Sequence, residues 1–447
     1  MNGADTAWVL VSAALVMFMT PGLALFYGGL VGSRHVLATI MQSFFALGLV
    51  SLLWVAVGYT LAFGHDIGGV IGGLDFAGFR DVGQAPSETY ATSVPQVGFA
   101  LYQLMFAIIT PALITGAIAE RMRFSAYVAF LGLWSVLVYA PVAHWVFADG
   151  FLGAAGLGAL DFAGGTVVHI NAGAAALAAV LYLGPRNGYG KRAFIPHNVP
   201  MVILGASILW FGWFGFNAGS ALGANGLAAS AFAATHLAAA AAVIGWLILE
   251  RIRHGKATTL GAATGGVAGL VAITPAAGFV EPWAAIVIGL AAGAVCYMVV
   301  QVKAKTGFDD SLDVVGVHLA GGILGALLTG VFASTAINAF EGSLGQLGKQ
   351  AIAAGVTLAF SFVATLAILK VVDRLLGLRA TEEEEEAGLD LTQHAESAYT
   401  PDAAGTSKAL THDDIERMVT ELIRATHASD ATSVVTEGTT TSGAAPG

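Results

Sequence analysis

Charge and cysteine are what this sequence has least of. Only 11% of its 447 residues are charged, against about 25% in an average soluble domain. Hydrophobic residues make up 56%, and the mean hydropathy is +0.76. A soluble globule of this length has too few polar groups here to cover its surface, which excludes the soluble classes and leaves a multi-pass membrane protein. The lone cysteine, Cys296, lies in the apolar run Val295–Val300. One thiol excludes an internal disulfide and a Cys-based metal site, so Cys296 reads as a small core residue. No basic stretch precedes the first apolar segment and no A-x-A site follows it early, so no cleaved signal peptide is expected. No basic patch marks a nucleic-acid partner.

What is present is apolar sequence in span-sized pieces. Eleven segments are long enough to cross a bilayer, near 6–30, 36–63, 96–118, 125–147, 163–184, 198–222, 228–250, 258–276, 282–302, 314–334 and 349–372. One set of alternate loops holds Arg34, Arg121, Arg123, Arg186, Lys191, Arg192, Arg251, Arg253, Lys256, Lys303 and Lys305. The opposite set holds only Arg80, with Lys349 at the edge of the last helix. Positive-inside bias then puts the N-terminus outside and the C-terminus in the cytoplasm of an inner (plasma) membrane protein. Charge divides the chain near residue 380. Residues 1–380 form an eleven-helix pore domain of near-zero net charge, whereas 381–447 carry 14 acids and 3 bases. That tail, opening on Glu382–Glu386, reads as acidic, cytoplasmic and partly disordered. Within it, Ile415, Met418, Val419, Leu422 and Ile423 predict a short amphipathic helix near 412–427.

Two apolar segments repeat one pattern. Asp161 is followed eight residues later by His169, and Asp310 by His318. Eight helical residues rise ~12 Å, so each histidine lies well inside a bilayer. Ionisable residues at that depth are costly and are functional candidates. The two segments are the fifth and tenth spans. With five helices per repeat (about 6–184 and about 198–334, then an extra helix 349–372) the second repeat enters from the opposite side, and the histidines meet near the midplane. Desolvation favours neutral imidazole, which has one donor and one acceptor nitrogen. Two such rings in line can share a proton and pass a polar molecule along; a pair of helix-packing histidines is the competing reading. No third ligand type accompanies them, so no metal and no cofactor is expected.

Aromatic residues form a second signal, in Tyr102-Gln-Leu-Met-Phe106, His144-Trp-Val-Phe147 and Trp210-Phe-Gly-Trp-Phe-Gly-Phe-Asn217, followed by Ser220. Aromatic faces attract ammonium-type cations and a serine accepts a hydrogen bond. An interfacial aromatic belt or simple core has the same composition.

Five motifs carry a resemblance: Gly164-Gly-Thr-Val-Val-His-Ile-Asn171, Ala119-Glu-Arg-Met-Arg-Phe-Ser125, Phe214-Gly-Phe-Asn-Ala-Gly-Ser220, Thr274-Pro-Ala-Ala-Gly-Phe279 and Asp309-Asp-Ser-Leu-Asp313 with His318. In this order they resemble the ammonium transporter (Amt/Mep/Rh) family, on its bacterial Amt branch, from the first span to about Tyr399. The resemblance implies an all-α membrane protein of eleven transmembrane helices. Its ammonium transporter fold is an inverted 5+5 pseudo-twofold repeat plus one extra helix, assembled as a homotrimer with one pore per subunit. It implies that Phe106, Phe147 and Ser220 form an outer ammonium-recruitment site. Asp161 lies below that site and orders it, and Trp213 and Thr274 are pore-lining or packing neighbours. Phe106 and Phe216 resemble the phenyl pair that closes the outer mouth, and His169 and His318 the twin pore histidines. Where the family commonly has tryptophan this chain has Phe147, a weaker cation–π partner, so outer affinity falls unless Trp145 or Tyr102 compensates. The early tail, Gly388–Tyr399, resembles a region that packs beneath the neighbouring subunit and helps PII signal proteins block the pore.

The expected function is thus an ammonium transporter or channel, not an enzyme. It recruits NH4+, deprotonates it and conducts NH3, with or without a relayed proton, through a hydrophobic pore. The alternative is a membrane ammonium sensor signalling through its tail.

Overall fold

A chain with so few charges must satisfy its backbone polar groups within each spanning segment, and helices do this. The computed structural model of the chain describes residues 1–148 and 150–399, with Asp413, Arg417 and Thr420 as single positions beyond them. Among the described residues, ten helices are long and apolar enough to cross a membrane: α1 Gly3–Leu30, α2 Val36–Phe63, α3 Gln96–Ile118, α4 Phe124–Phe147, α5 Gly165–Leu183, α6 Val199–Ala221, α7 Gly226–His254, α9 Pro282–Lys303, α10 Val315–Phe332 and α11 Leu344–Leu376. Between α7 and α9 lies α8, Thr259–Ile273, apolar but only 15 residues long. At ~1.5 Å per residue it rises ~22 Å, short of a ~30 Å hydrocarbon core. The span expected near 258–276 is therefore a helix and a turn. Pro275, which has no N–H to continue the ladder, ends it. The eleven-helix architecture holds, with α8 as its short member. A two-residue hairpin, β1 Asp66–Ile67 and β2 Ile71–Gly72, lies in the α2–α3 loop.

Five of these helices contain a π-helical turn, at Trp54–Gly58, Ser135–Tyr139, Gly165–Ile170, Phe214–Ala218 and Val315–Leu319, and the last three carry the candidate site residues His169, Phe216 and His318. Such widened turns re-aim side chains and recur at functional sites. Each histidine turn begins on an aspartate. Asp161 accepts from the backbone N–H of Gly164, Gly165, Thr166 and Val167 at 2.6–3.2 Å. Asp310 accepts from Val314 and Val315 at 3.0 and 2.8 Å. These N–H groups have no partner inside the helix, so the carboxylate both caps and charge-matches the helix start. The Asp-x7-His spacing has its cause here: cap, one loose turn, then histidine. The two helices meet at Gly173, where a Cβ would lie 2.5 Å from the Leu319 nitrogen. Only glycine lets α5 and α10 approach this closely.

The face carrying the basic loops is locked by a buried ion cluster. Asp309 receives Arg121 Nη1 at 2.9 Å and Arg186 Nη2 at 2.8 Å, while Arg186 Nη1 reaches Glu120 at 2.9 Å. Glu120 also accepts from the Gly32 N–H at 2.7 Å. Four loops are joined in this way. The basic residues that read as orientation signals thus include two, Arg121 and Arg186, that are structural and buried.

The change of composition at 380 is not a change of packing. Folded structure continues through α12, Glu382–Ala387, and α13, Leu389–His394. Glu385, expected in a solvated acidic run, is buried; it holds Arg379 at 2.7 Å and the Asn187 N–H at 3.1 Å. Asp390 accepts from the Ala38 N–H at 2.8 Å, and Gln393 accepts from the Phe124 N–H at 3.2 Å. Residues 381–394 therefore dock on the basic loops of their own chain. The helix expected near 412–427 lies outside the described residues, apart from Asp413, Arg417 and Thr420, which are helical and exposed.

Candidate functional site

Three cavities follow one another between the two faces. The first has a volume of about 160 Å³ and is bordered by Tyr90, Phe99, Gln103, Phe106, Phe147, Phe162, Ser220 and Leu222. Beneath it Phe106 and Phe216 stack with ring centroids 4.4 Å apart and planes inclined by 42°. Phe147 stands edge-on to Phe106 at 6.5 Å. The Ser220 hydroxyl donates to the Phe216 carbonyl at 2.9 Å and lies 3.1 Å from the Tyr102 hydroxyl. Phe106, Phe147, Ser220 and Phe216 are thus brought together as the sequence suggested.

Below the phenyl pair the path narrows to a cavity of about 10 Å³, bordered by Leu23, Phe26, Ile109, Val168, His169, Trp213, Phe216 and His318 among others. That is room for about one water. The Nδ1 atoms of His169 and His318 face each other at 3.2 Å, with ring planes inclined by 26°. Two imidazole nitrogens at this distance hold one proton between them, so one ring donates and the other accepts. The outer ring, His169, stacks on Trp213 at 5.5 Å, and its Nε2 has no partner among the described residues. Whichever way the shared proton lies, that nitrogen offers a donor or an acceptor to a molecule in the constriction. Both rings are buried in the protein and face away from lipid.

The third cavity, about 320 Å³, opens below His318 and is bordered by Tyr27, Arg186, Lys303, Asp309 and Asp313 among others. Asp310 lies buried at its edge. Burial pushes its carboxyl up to about 6, with Lys303 opposing and Asp313 adding to the rise. A carboxylic group above its ordinary value reports the low dielectric around the lower histidine turn.

Trp213 and Thr274 stand as the pore-lining and packing neighbours that the resemblance implied: Trp213 lines the constriction, not the outer cavity, and donates its indole N–H to Thr274 at 2.9 Å. Thr274, whose hydroxyl donates a hydrogen bond to the Leu270 carbonyl, is the anchor of that tryptophan. Asp161 does not reach the outer cavity, because four backbone N–H groups occupy its carboxylate. It bears on the cavity only through the adjoining Phe162. Nor does either residue considered as compensation for Phe147 serve. Trp145 points away, donating to the Val70 carbonyl at 2.7 Å and packing on Phe360. The Tyr102 hydroxyl is held by the Gly215 and Phe216 carbonyls at 3.0 and 2.9 Å.

Sequence reasoning missed Gln103, three residues before Phe106 and so on the same helical face. That spacing was the available signal. It also missed Tyr90, which comes from the α2–α3 loop and has no periodic signal. With neither Trp145 nor Tyr102 lining the cavity, Phe147→Trp is expected to raise apparent ammonium affinity there about two- to fivefold, the margin of tryptophan over phenylalanine as a cation–π partner. The concentration dependence of ammonium-evoked currents checks it, and an unchanged midpoint would remove this cavity from recruitment.

The sequence profile of the Ammonium Transporter Family matches residues 7–399. The chain is 51% identical over 431 residues to an ammonium transporter of Mycobacterium tuberculosis (strain H37Rv), covering 89% of this chain and 90% of that one. It is 50% identical over 406 residues to one of Bacillus subtilis, covering 89% and 99%. Among solved structures it is similar to Saccharomyces cerevisiae Mep2, with a TM-score of 0.83 and 39% identity over 90% of this chain and 93% of that one. It is also similar to a protein titled "Sensor Amt Protein", with a TM-score of 0.81 and 31% identity over 88% and 98%. Paired histidine turns, stacked phenyl rings and likeness over 89% of the chain agree: the chain is a multi-pass membrane protein belonging to the Ammonium Transporter Family.

Proposed function

We propose that the chain moves ammonium across the inner membrane by taking it apart. NH4+ is recruited in the outer cavity by Phe106, Phe147 and Ser220. Near the Phe106–Phe216 gate it gives up a proton to the open Nε2 of His169, and NH3 passes His169 and His318 to the inner cavity. The proton crosses by the histidine pair, one imidazole N–H at a time, and rejoins ammonia below. The observation that carries this reading is the Nδ1–Nδ1 contact of 3.2 Å beside a cavity of about 10 Å³. Ammonium and potassium match in charge and nearly in size, so attraction alone cannot separate them. Moving either bare ion into so dry a space is very costly. Ammonium escapes that cost by releasing a proton, and potassium cannot.

Within this reading the basic face is cytoplasmic, the N-terminus lies outside, and the chain acts as a homotrimer with one pore per subunit. We take 1–380 as the pore domain, with repeats about 6–184 and about 198–334 and extra helix 349–372. A PII-type signal protein is the proposed partner at the cytoplasmic face, next to the docked segment 381–399. A second reading, an ammonium sensor, draws on the likeness to the protein titled a sensor and on the length of the tail.

Electrical flux recordings on proteoliposomes, with and without residues 400–447, separate the two. A transporter keeps its ammonium flux after truncation. A sensor binds ammonium with little flux in either form.

A further inference from the structure

Asp161 and Asp310 hold matching places in the two repeats, yet their surroundings differ. Asp161 takes four backbone N–H groups and makes no salt bridge among the described residues. Beside Asp310 stands a cation that has no counterpart in the first repeat. Lys303 Nζ donates to the Asp310 carbonyl at 2.7 Å and pairs with the Asp313 carboxylate. Lys303 and Asp313 both border the inner cavity, together with His318. The other charges there cancel, since Arg121 and Arg186 are taken by Asp309 and Glu120. Among the described residues bordering that cavity, Lys303 is therefore the cation left to set against Asp313 and the buried Asp310.

We infer that Lys303 is a specificity-determining residue for sidedness: it offsets Asp313 and Asp310, so the inner mouth releases ammonium instead of holding it. This rests on the reading above that the basic face is the inner one. Without the lysine charge, the Asp313 carboxylate, with that of buried Asp310 behind it, would bear on a cavity with low-dielectric walls, where fields are focused and cations concentrate. Ammonium formed at the exit would then linger and compete with further passage. Removal of the charge acts on one mouth only. A purely structural lysine, fixing the start of α10, would disturb passage from both sides alike.

Ammonium-evoked currents in right-side-out and inverted membrane vesicles test this. Lys303→Gln keeps a hydrogen-bonding side chain and loses the charge. It is expected to raise apparent ammonium affinity at the inner face about fivefold, the order of one partly screened charge a few ångströms away, and to leave the outer face unchanged. Lys303→Arg should match the wild type on both faces. Asp313→Asn provides a reciprocal test: Asp313 has φ +63°, which asparagine tolerates. It should weaken inner affinity by a similar factor. Equal shifts on both faces, or no shift in either charge variant, would overturn the inference. Wild-type vesicles without ammonium current would instead sink the transport reading on which it rests.

Discussion

Asp309→Ala is expected to destabilise the folded chain by about 3–5 kcal/mol, because it strands two buried guanidinium groups. Arg121 and Arg186 both close on this carboxylate, and neither has another acid of equal quality, Arg186 keeping only Glu120. Each loop the cluster ties, at Gly32, Glu120, Arg186 and Asp309, would lose its anchor together. Fluorescence-detected size-exclusion melting should show a fall of at least about 5 °C, or failure to accumulate. Asp309→Asn, which keeps hydrogen-bond acceptance on one side, should lose less. The same cluster sets an acid limit. Burial alone would raise the Asp309 and Glu120 carboxyls, but Arg186 beside both, aided at Asp309 by Arg121, holds them below the ordinary carboxylate range. Carboxyls depressed in the folded state add stability above their unfolded value near ~4 and lose it as pH falls through the lowered folded values. Melting temperature should therefore hold through neutral pH and drop in strong acid. Asp309→Asn should flatten that drop.

His169→Ala and His318→Ala are expected to cut ammonium current by about 100-fold or more each, the usual scale for losing a positioned proton-transfer group. The two rings work as one contact, so the double variant should lose little beyond either single one. This non-additivity distinguishes a shared proton from two independent packing roles. If the histidines only filled space, each alanine would widen a dry tube and leave current intact or raise it. Ammonium-evoked currents on solid-supported membranes, normalised to folded protein, give the answer directly.

How much of this was legible in advance depended on chemistry that repeats. Apolar run length placed α1 through α11 within a few residues, since bilayer thickness fixes helix length. Asp161, His169, Asp310 and His318 stood out because charge in apolar sequence is costly, and the repeated spacing implied one site. The π-turns were hidden: Gly165–Ile170 and Val315–Leu319 have ordinary helical composition, and no residue type in them marks the widening. Trp213 was legible as an aromatic but not as the ring under His169, because its direction is set by Thr274 sixty-one residues away. Phe147 was read as a weakened cation partner, and the hope of a substitute in Trp145 or Tyr102 failed on hydrogen bonds to Val70 and Phe216 that no pattern announces. The start of the tail was misjudged for a similar reason. Its acids looked solvated by number, while Glu385 and Asp390 were already matched to Arg379 and the start of α2.

The most direct measurement is a paired current recording on wild-type protein in proteoliposomes, with ammonium on one side of the comparison and potassium in large excess on the other. A conduit that sorts its cargo by the release of a proton should pass ammonium with a measurable current and potassium with none, and His318→Ala should cut the ammonium current about 100-fold or more. Potassium current in the wild type, or ammonium current undiminished in His318→Ala, would contradict it.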